Sequence, residues 1–452
     1  MALFYEIEVE KLNEYYTQSS NQIVVVYGQK NIDEGNLINL FLQNKTSVYF
    51  KAQEAMERQQ CYLWAKQFSY DSVNPYPDFS ELFEGVYNKN HTEEERMVFV
   101  FDGFHNLIKY DGDFMGHLIE FLKRHNEVFV LLVSTSIGFI ENSMVSKIGR
   151  NALYINQFIK IKELPFKSVC GYFYNCSKDD CLNIYSIFGG FPKLWKRFDR
   201  TYTFRENMVR LLEQDVHFFE HETKRILGDE LRELSVYSTI LSVLASGKTK
   251  LNDIYDHTGF SRAKISVYLK QLIELEVVEK VFSMETAGHE NTQKGIYKIS
   301  NPLVRFYYTY FYPNESVLGC ISARQFFEEY ISPYLREYAE ESFALACLQY
   351  MDEKNQENKL PERFGRMSQW VGKAGTISVM AVSDNDNYLI AHCSYRYPKM
   401  KSQDYEWLLY LVTQARVEPK YYYLFAVTGF DETILEIARK EANIKTVLLG
   451  DM

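Results

Sequence analysis

The chain has 452 residues, 46% apolar and 24% charged, with 50 Lys and Arg against 60 Asp and Glu for a net charge of −10. One core rarely serves more than about 250–300 residues, so two to four domains are expected, and no run of about 18 uncharged apolar residues is present to span a membrane. The acidic balance excludes a general affinity for nucleic acid and leaves only a local basic face to supply one.

The N-terminus MALFYEIEVEKLNEYY carries acids from Glu6 onward and has no signal-peptide core, so a cytosolic location is expected. Seven cysteines are scattered; Cys170, Cys176 and Cys181 lie closest, without a CxxC pair or a nearby His. Free thiols in a reducing compartment are expected rather than a zinc site.

QIVVVYG (22–28) reads as a buried strand, followed by a loop bounded by Gly28 and Gly35 and then an apolar, helix-like run. That is the outline of a phosphate-binding loop. Such a loop needs backbone N–H groups around the phosphates, a Lys on them and a hydroxyl on Mg²⁺. Here six residues, not four, separate the glycines, and Asn36 and Leu37 stand at the Lys and hydroxyl places. Lys30 lies within the loop but early. Asp33 and Glu34 oppose the field by which a helix N-terminus attracts anions. An ordinary strand–loop–helix is the competing reading.

TSVYFKA (46–52) is a second strand, MVFVFDG (97–103) a third and VFVLLVSTS (128–136) a fourth, with FMGHLIEFLKRH (114–125) helical between the last two. Buried runs separated by helices imply a parallel sheet. Asp102 ends its strand where a carboxylate holds Mg²⁺ through water, but the place of a water-polarising acid is taken by Gly103. A capping Asp is the alternative. Ser134, Thr135 and Ser136 can sense a phosphate or satisfy loop backbone. Arg150, after Gly149, can reach a neighbour's nucleotide or remain solvated. FIKIKELPF (158–166) closes the unit with a short strand.

From Lys167 to about Glu233 the pattern is helical, with GGFP (189–192) as a turn and FRENMVRLLEQDVHFFEHETKRIL (204–227) as one helix. Residues 234–312 contain LSVYSTILSVLAS, KLNDIYDHTG and SRAKISVYLKQLIELE as three helices. VVEKVFS and GIYKIS follow as strands around the polar loop METAGHENTQK. Three helices and a two-stranded wing make a winged helix-turn-helix. In its third helix Ile265, Leu269 and Leu272 form the core stripe, leaving Arg262, Lys264, Ser266 and Lys270 for phosphates and base edges of double-stranded DNA. Nearby acids (Asp253, Asp256, Glu274, Glu276, Glu279) dilute the positive field, and a protein contact is the alternative. ISPYLREYAEESFALACLQYM (331–351), TISVMAVS, YLIAHCSYR, DYEWLLYLVTQAR and YYYLFAVTG form a last, smaller α/β unit.

The motifs IVVVYG, VFVFDGFHNL, LLVSTSIGFIENS, GGFPKLW and YKISNPLVRFYYTYFYPN, in this order, resemble the archaeal-type P-loop ATPase family of the AAA/STAND group. The resemblance spans nearly the whole chain. It implies a P-loop NTPase-like domain (1–166), a helical lid (167–233), a winged helix (234–314) and a restriction-nuclease-like domain (325–452). It further implies ATP or ADP with Mg²⁺ at Gly28, Lys30, Gly35, Asn36, Asp102 and Ser134, Gly149–Arg150 as a finger segment, and possible oligomers. The family's GKT is here Gly35–Asn36–Leu37 and its Asp-Glu is Asp102–Gly103. In its nuclease-like domain the metal-binding Asp, Glu and Lys places hold Ser378, His392 and Ser394, leaving Glu340 or Glu341 as the remaining acid. Both centres therefore read as eroded, with Asp102 and Arg150 as remnants, no metal site and no nuclease activity. A non-hydrolysing scaffold or regulator is expected. The alternatives are an active ATPase in which Lys30 replaces the missing Lys, and a protein-binding adaptor with neither nucleotide nor DNA.

Overall fold

The computed structural model describes residues 4–69, 74, 76–92, 95–110, 113–228, 231, 233–282 and 295–452; the polar wing loop lies outside them. The chain divides into two compact units, residues 1–163 and 164–452.

The first unit is a five-stranded sheet: β1 (Gln22–Gly28), β2 (Ser47–Lys51), β3 (Met97–Asp102), β4 (Val128–Ser134) and β5 (Gln157–Ile161). The order is β2-β3-β4-β1-β5 and every pairing is parallel. The Val, Ile, Leu and Phe runs of β1, β3 and β4 are almost continuously buried because helices cover both faces. One face is strongly aromatic. Phe50 stacks on Phe101 at 4.8 Å and meets the Trp64 ring at 4.9 Å, within a cluster that takes in Phe79, Phe83, Phe99 and Phe121. Trp64 and several of these rings come from helices Glu57–Gln67 and Phe79–Asn90, inserted between β2 and β3.

The second unit begins with helices Phe166–Tyr172, Lys178–Phe188, Pro192–Trp195, Phe204–Gln214 and Phe218–Leu227. The expected single helix over 204–227 is therefore two. Asp215 takes an extended conformation, and its carboxylate accepts from the His217 amide at 3.1 Å, giving the backbone a turn in place of a helical bond. The winged helix follows: helices Leu234–Ala245, Leu251–Thr258 and Arg262–Glu274, then strands β6 (Val278–Val281) and β7 (Ile296–Ile299), which pair antiparallel. Ser261 caps the third helix, its hydroxyl accepting from the Lys264 amide at 3.2 Å.

The long helix Leu335–Gln356 leads into a mixed five-stranded sheet. β8 (Phe364–Val371), β9 (Thr376–Ser383) and β10 (Tyr388–Ser394) pair antiparallel, and β10 continues in parallel to Pro419–Ala426 and Ile444–Leu448. Polar side chains tie the parts of this unit together. Asp179 of helix Lys178–Phe188 accepts from Arg336 at 3.1 Å and from the buried Tyr395 hydroxyl at 2.9 Å. Gln349 receives the Phe166 amide at 2.9 Å and donates to Tyr185 at 2.8 Å. Among the described residues no helix is long and apolar enough to cross a membrane. All seven cysteines are free thiols.

Candidate functional site

Parallel pairing brings the carboxyl ends of β1, β3 and β4 to one edge. Tyr27 lies opposite Ser134 and Asp102 opposite Val133, so Gly28, Asp102 and Ser134 border a common region. Ligands of open α/β sheets bind beyond such carboxyl ends.

The loop after β1 turns twice through left-handed backbone, at Asn31 (φ 77°) and Asp33 (φ 62°), which Asn and Asp tolerate better than most residues. Those turns place Asn31 at 3%, Ile32 at 1% and Asp33 at 8% exposure. The Ile32 carbonyl accepts a hydrogen bond from the buried Tyr5 hydroxyl, which the N-terminal segment brings in. Gly28 is pressed close: a Cβ there would lie 2.9 Å from the Ile161 carbonyl oxygen and 3.4 Å from the Ile32 side chain. Lys30 is half-buried. Gly35 and Asn36 lie within helix Glu34–Leu42, the Asn36 amide donating to the Asp33 carbonyl at 3.0 Å. Leu37 is fully buried on the core side of that helix.

Asp102 accepts from the Tyr49 hydroxyl at 2.8 Å. Burial first, then Asp102 and Glu34, hold the Tyr49 phenol well above its ordinary range. Burial, Asp33, Glu8 and Glu34 do the same to Tyr5. Acidic groups add to burial in both shifts. Gly103 has φ +80°, and a Cβ there would lie 3.0 Å from the Ala52 carbonyl oxygen. An acid at that position would be strained. The Ser134 hydroxyl is buried; it pairs with His105 Nδ1 at 3.0 Å and accepts the Ser136 amide at 3.1 Å. Arg150 is exposed, after Gly149 at φ 56°.

A family model described as "Bacterial regulatory protein, arsR family" matches residues 238–280, and one described as "Archaea bacterial proteins of unknown function" matches residues 307–406. An uncharacterized protein of Methanocaldococcus jannaschii is 24% identical over 386 residues, 84% of each chain. Among solved structures, the Walker-type ATPase PABY2304 of Pyrococcus abyssi aligns with a TM-score of 0.52 and 13% identity, over 67% of this chain and 95% of its own. This chain has the fold of a Walker-type ATPase with an ArsR-type winged helix. The first unit is thus an ATPase fold, and the DNA-binding type of module in the second follows the order read from the sequence.

In the winged helix of this ATPase-fold protein, Ile265, Leu269 and Leu272 are buried at 0–1% exposure. Arg262, Ser266 and Lys270 lie on an exposed stripe beside it at i, i+4, i+8, and Lys264 is half-buried. Arg262 stacks over Tyr255 at 4.4 Å and donates to Asn252 at 3.2 Å. Lys264 sits over Phe260 at 4.8 Å, and Lys270 faces Glu274 at 3.8 Å. Sequence reasoning passed over Tyr255, exposed at 37% beneath Arg262, and Val267, exposed at 57% on the third helix.

In the C-terminal sheet, Glu340 Oε2 accepts from the Tyr395 and Arg396 amides at 2.8 Å each, and Glu341 pairs with Lys298 and Arg305. The two acids therefore have separate roles. The Ser394 hydroxyl donates to Asp404 at 3.4 Å. Among the described residues no three His, Cys, Asp or Glu side chains group as metal ligands.

Proposed function

We propose that this chain is a regulator or scaffold built on an ATPase fold, with a nucleotide loop that does not support turnover and a winged helix that contacts double-stranded DNA. The observation that carries the first part is the filling of the loop by its own residues. Ile32, Asn31 and Asp33 occupy the turn, and Tyr5 anchors its backbone. Leu37 at the hydroxyl place belongs to the core, and Gly103 at the acid place has a backbone that resists a side chain. These residues do not fit ATP with Mg²⁺. Among the described residues Asp102 is the carboxylate at the end of β3 where the ion would be held, and Asp33 and Glu34 oppose the phosphates. ATP and ADP are expected to bind no tighter than about 1 mM.

The DNA part rests on the exposed stripe of Arg262, Ser266 and Lys270, with Lys264 beside it. The lid (167–233), winged helix (234–314) and C-terminal domain (325–452) serve as its modules. Titration of duplex DNA at several salt concentrations tests it. Binding is expected to weaken as salt rises. Arg262→Ala with Lys270→Ala should weaken it further and reduce the salt slope by about one for each phosphate no longer neutralised. No salt-dependent binding at low ionic strength would replace the DNA reading with a protein-binding adaptor.

A further inference from the structure

A cleft of about 490 Å³ opens in the second unit, lined by the winged helix, the long helix Leu335–Gln356 and strands β8 to β10. That volume lies within the range of about 300–1,000 Å³ common to small-molecule sites. Leu244, Ala245, Ile299 and Ala344 give it apolar walls. Charged groups of the winged helix and the long helix share its lining with three neutral polar groups from adjacent strands: Gln369 on β8, Ser378 on β9 and His392 on β10. The register that pairs Ala391 with Val379 brings His392 and Ser378 together one step further along.

Two observations define what this cleft accepts. His392 Nδ1 is buried and has no hydrogen-bond partner in the protein. Buried polar atoms are nearly always paired, so an orphan in the wall of a cleft calls for a partner from outside. The second observation is charge. Lys298 lies 2.6 Å from one oxygen of Glu341, and the Arg305 guanidinium binds the other. Both cations lining the cleft are thus committed to one carboxylate, while Glu337 pairs with Arg396 at 3.3 Å and Glu340 is held by the Tyr395 and Arg396 amides. Among the described residues lining the cleft, both cations already have a carboxylate partner, which disfavours a phosphate or carboxylate ligand. Burial lowers the basicity of the His392 imidazole, outweighing the opposite pull of Asp404, and keeps it neutral near pH 7.

A ligand for such a site has apolar faces, an edge of alternating hydrogen-bond donors and acceptors, and no negative charge. We propose that this cleft binds an unphosphorylated nucleobase or nucleoside, read along its hydrogen-bonding edge by His392, Ser378 and Gln369. The site does not depend on whether the loop of the first unit holds a nucleotide, because its variants lie in the second unit.

The test uses the full chain, with adenosine, guanosine, cytidine and uridine and their 5′-monophosphates, by calorimetry or ligand-observed NMR. At least one nucleoside is expected to bind with Kd below about 1 mM, and its monophosphate at least about tenfold more weakly. His392→Ala and, separately, Ser378→Ala are expected to weaken nucleoside binding about tenfold. Gln369→Ala provides a third variant should the buried histidine prove necessary for folding, with circular dichroism as the check. Three results would each overturn the proposal: no nucleoside binding, a monophosphate that binds as tightly as its nucleoside, or affinity unchanged in every folded variant.

Discussion

Gly103 is the residue at which the chemistry of this fold is most sharply limited. It follows Asp102 at the end of β3, where a hydrolytic acid would polarise water. Its φ of +80° and the Ala52 carbonyl oxygen, 3.0 Å from where a Cβ would lie, make the position unsuited to any side chain. Left-handed backbone costs a non-glycine residue about 1–2 kcal/mol. Gly103→Glu is therefore expected to lower the stability of the first unit by at least that amount in urea denaturation, without conferring ATP turnover. The substitution of the acid by glycine was plain in the sequence. The conformation that accompanies it was not, since φ depends on how β3 meets the segment after β2. The filled loop was hidden for a similar reason: Asp33 and Glu34 were visible as acids, but the closure by Tyr5 depends on a residue 27 positions distant.

At the scale of elements, the GGFP turn shows what a short motif encodes. Gly189 ends helix Lys178–Phe188 at φ 56°, and its carbonyl accepts the Trp195 indole N–H at 2.9 Å. A Cβ on Gly190 would lie 2.1 Å from the Leu164 carbonyl oxygen, and Pro192 opens the next helix where its missing N–H is harmless. Gly190→Ala is expected to cost about 1–3 kcal/mol or more through overpacking, read as a lowered Tm of the second unit. Strand β10 supplies a pH test. The buried His392 has a depressed folded-state pKa, so below its unfolded value of about 6.5 the unfolded chain binds more protons than the folded one. Stability contributed by the neutral imidazole is present above that pH and lost as pH falls; His392→Asn is expected to flatten this part of a Tm–pH curve. The strands with continuous apolar runs, β1, β3 and β4, were legible from sequence. β8 was not, because Arg366, Ser368 and Gln369 interrupt its pattern, and the break at Asp215 required a side-chain hydrogen bond that helical periodicity conceals.

At the scale of the whole molecule, each unit retains its core and the order of its parts. The first keeps a tightly packed aromatic sheet, and the second joins helix Lys178–Phe188 to the C-terminal sheet through Asp179, Arg336 and Tyr395. The proposed loss of turnover is argued from the edge where Gly28, Asp102 and Ser134 meet. The most direct test is ATP turnover by the full chain, with and without Mg²⁺, beside the Asp102→Ala variant. The account predicts no Mg²⁺-dependent release of phosphate above background and no change on substitution. Magnesium-dependent turnover that disappears in Asp102→Ala would contradict it and establish an active ATPase.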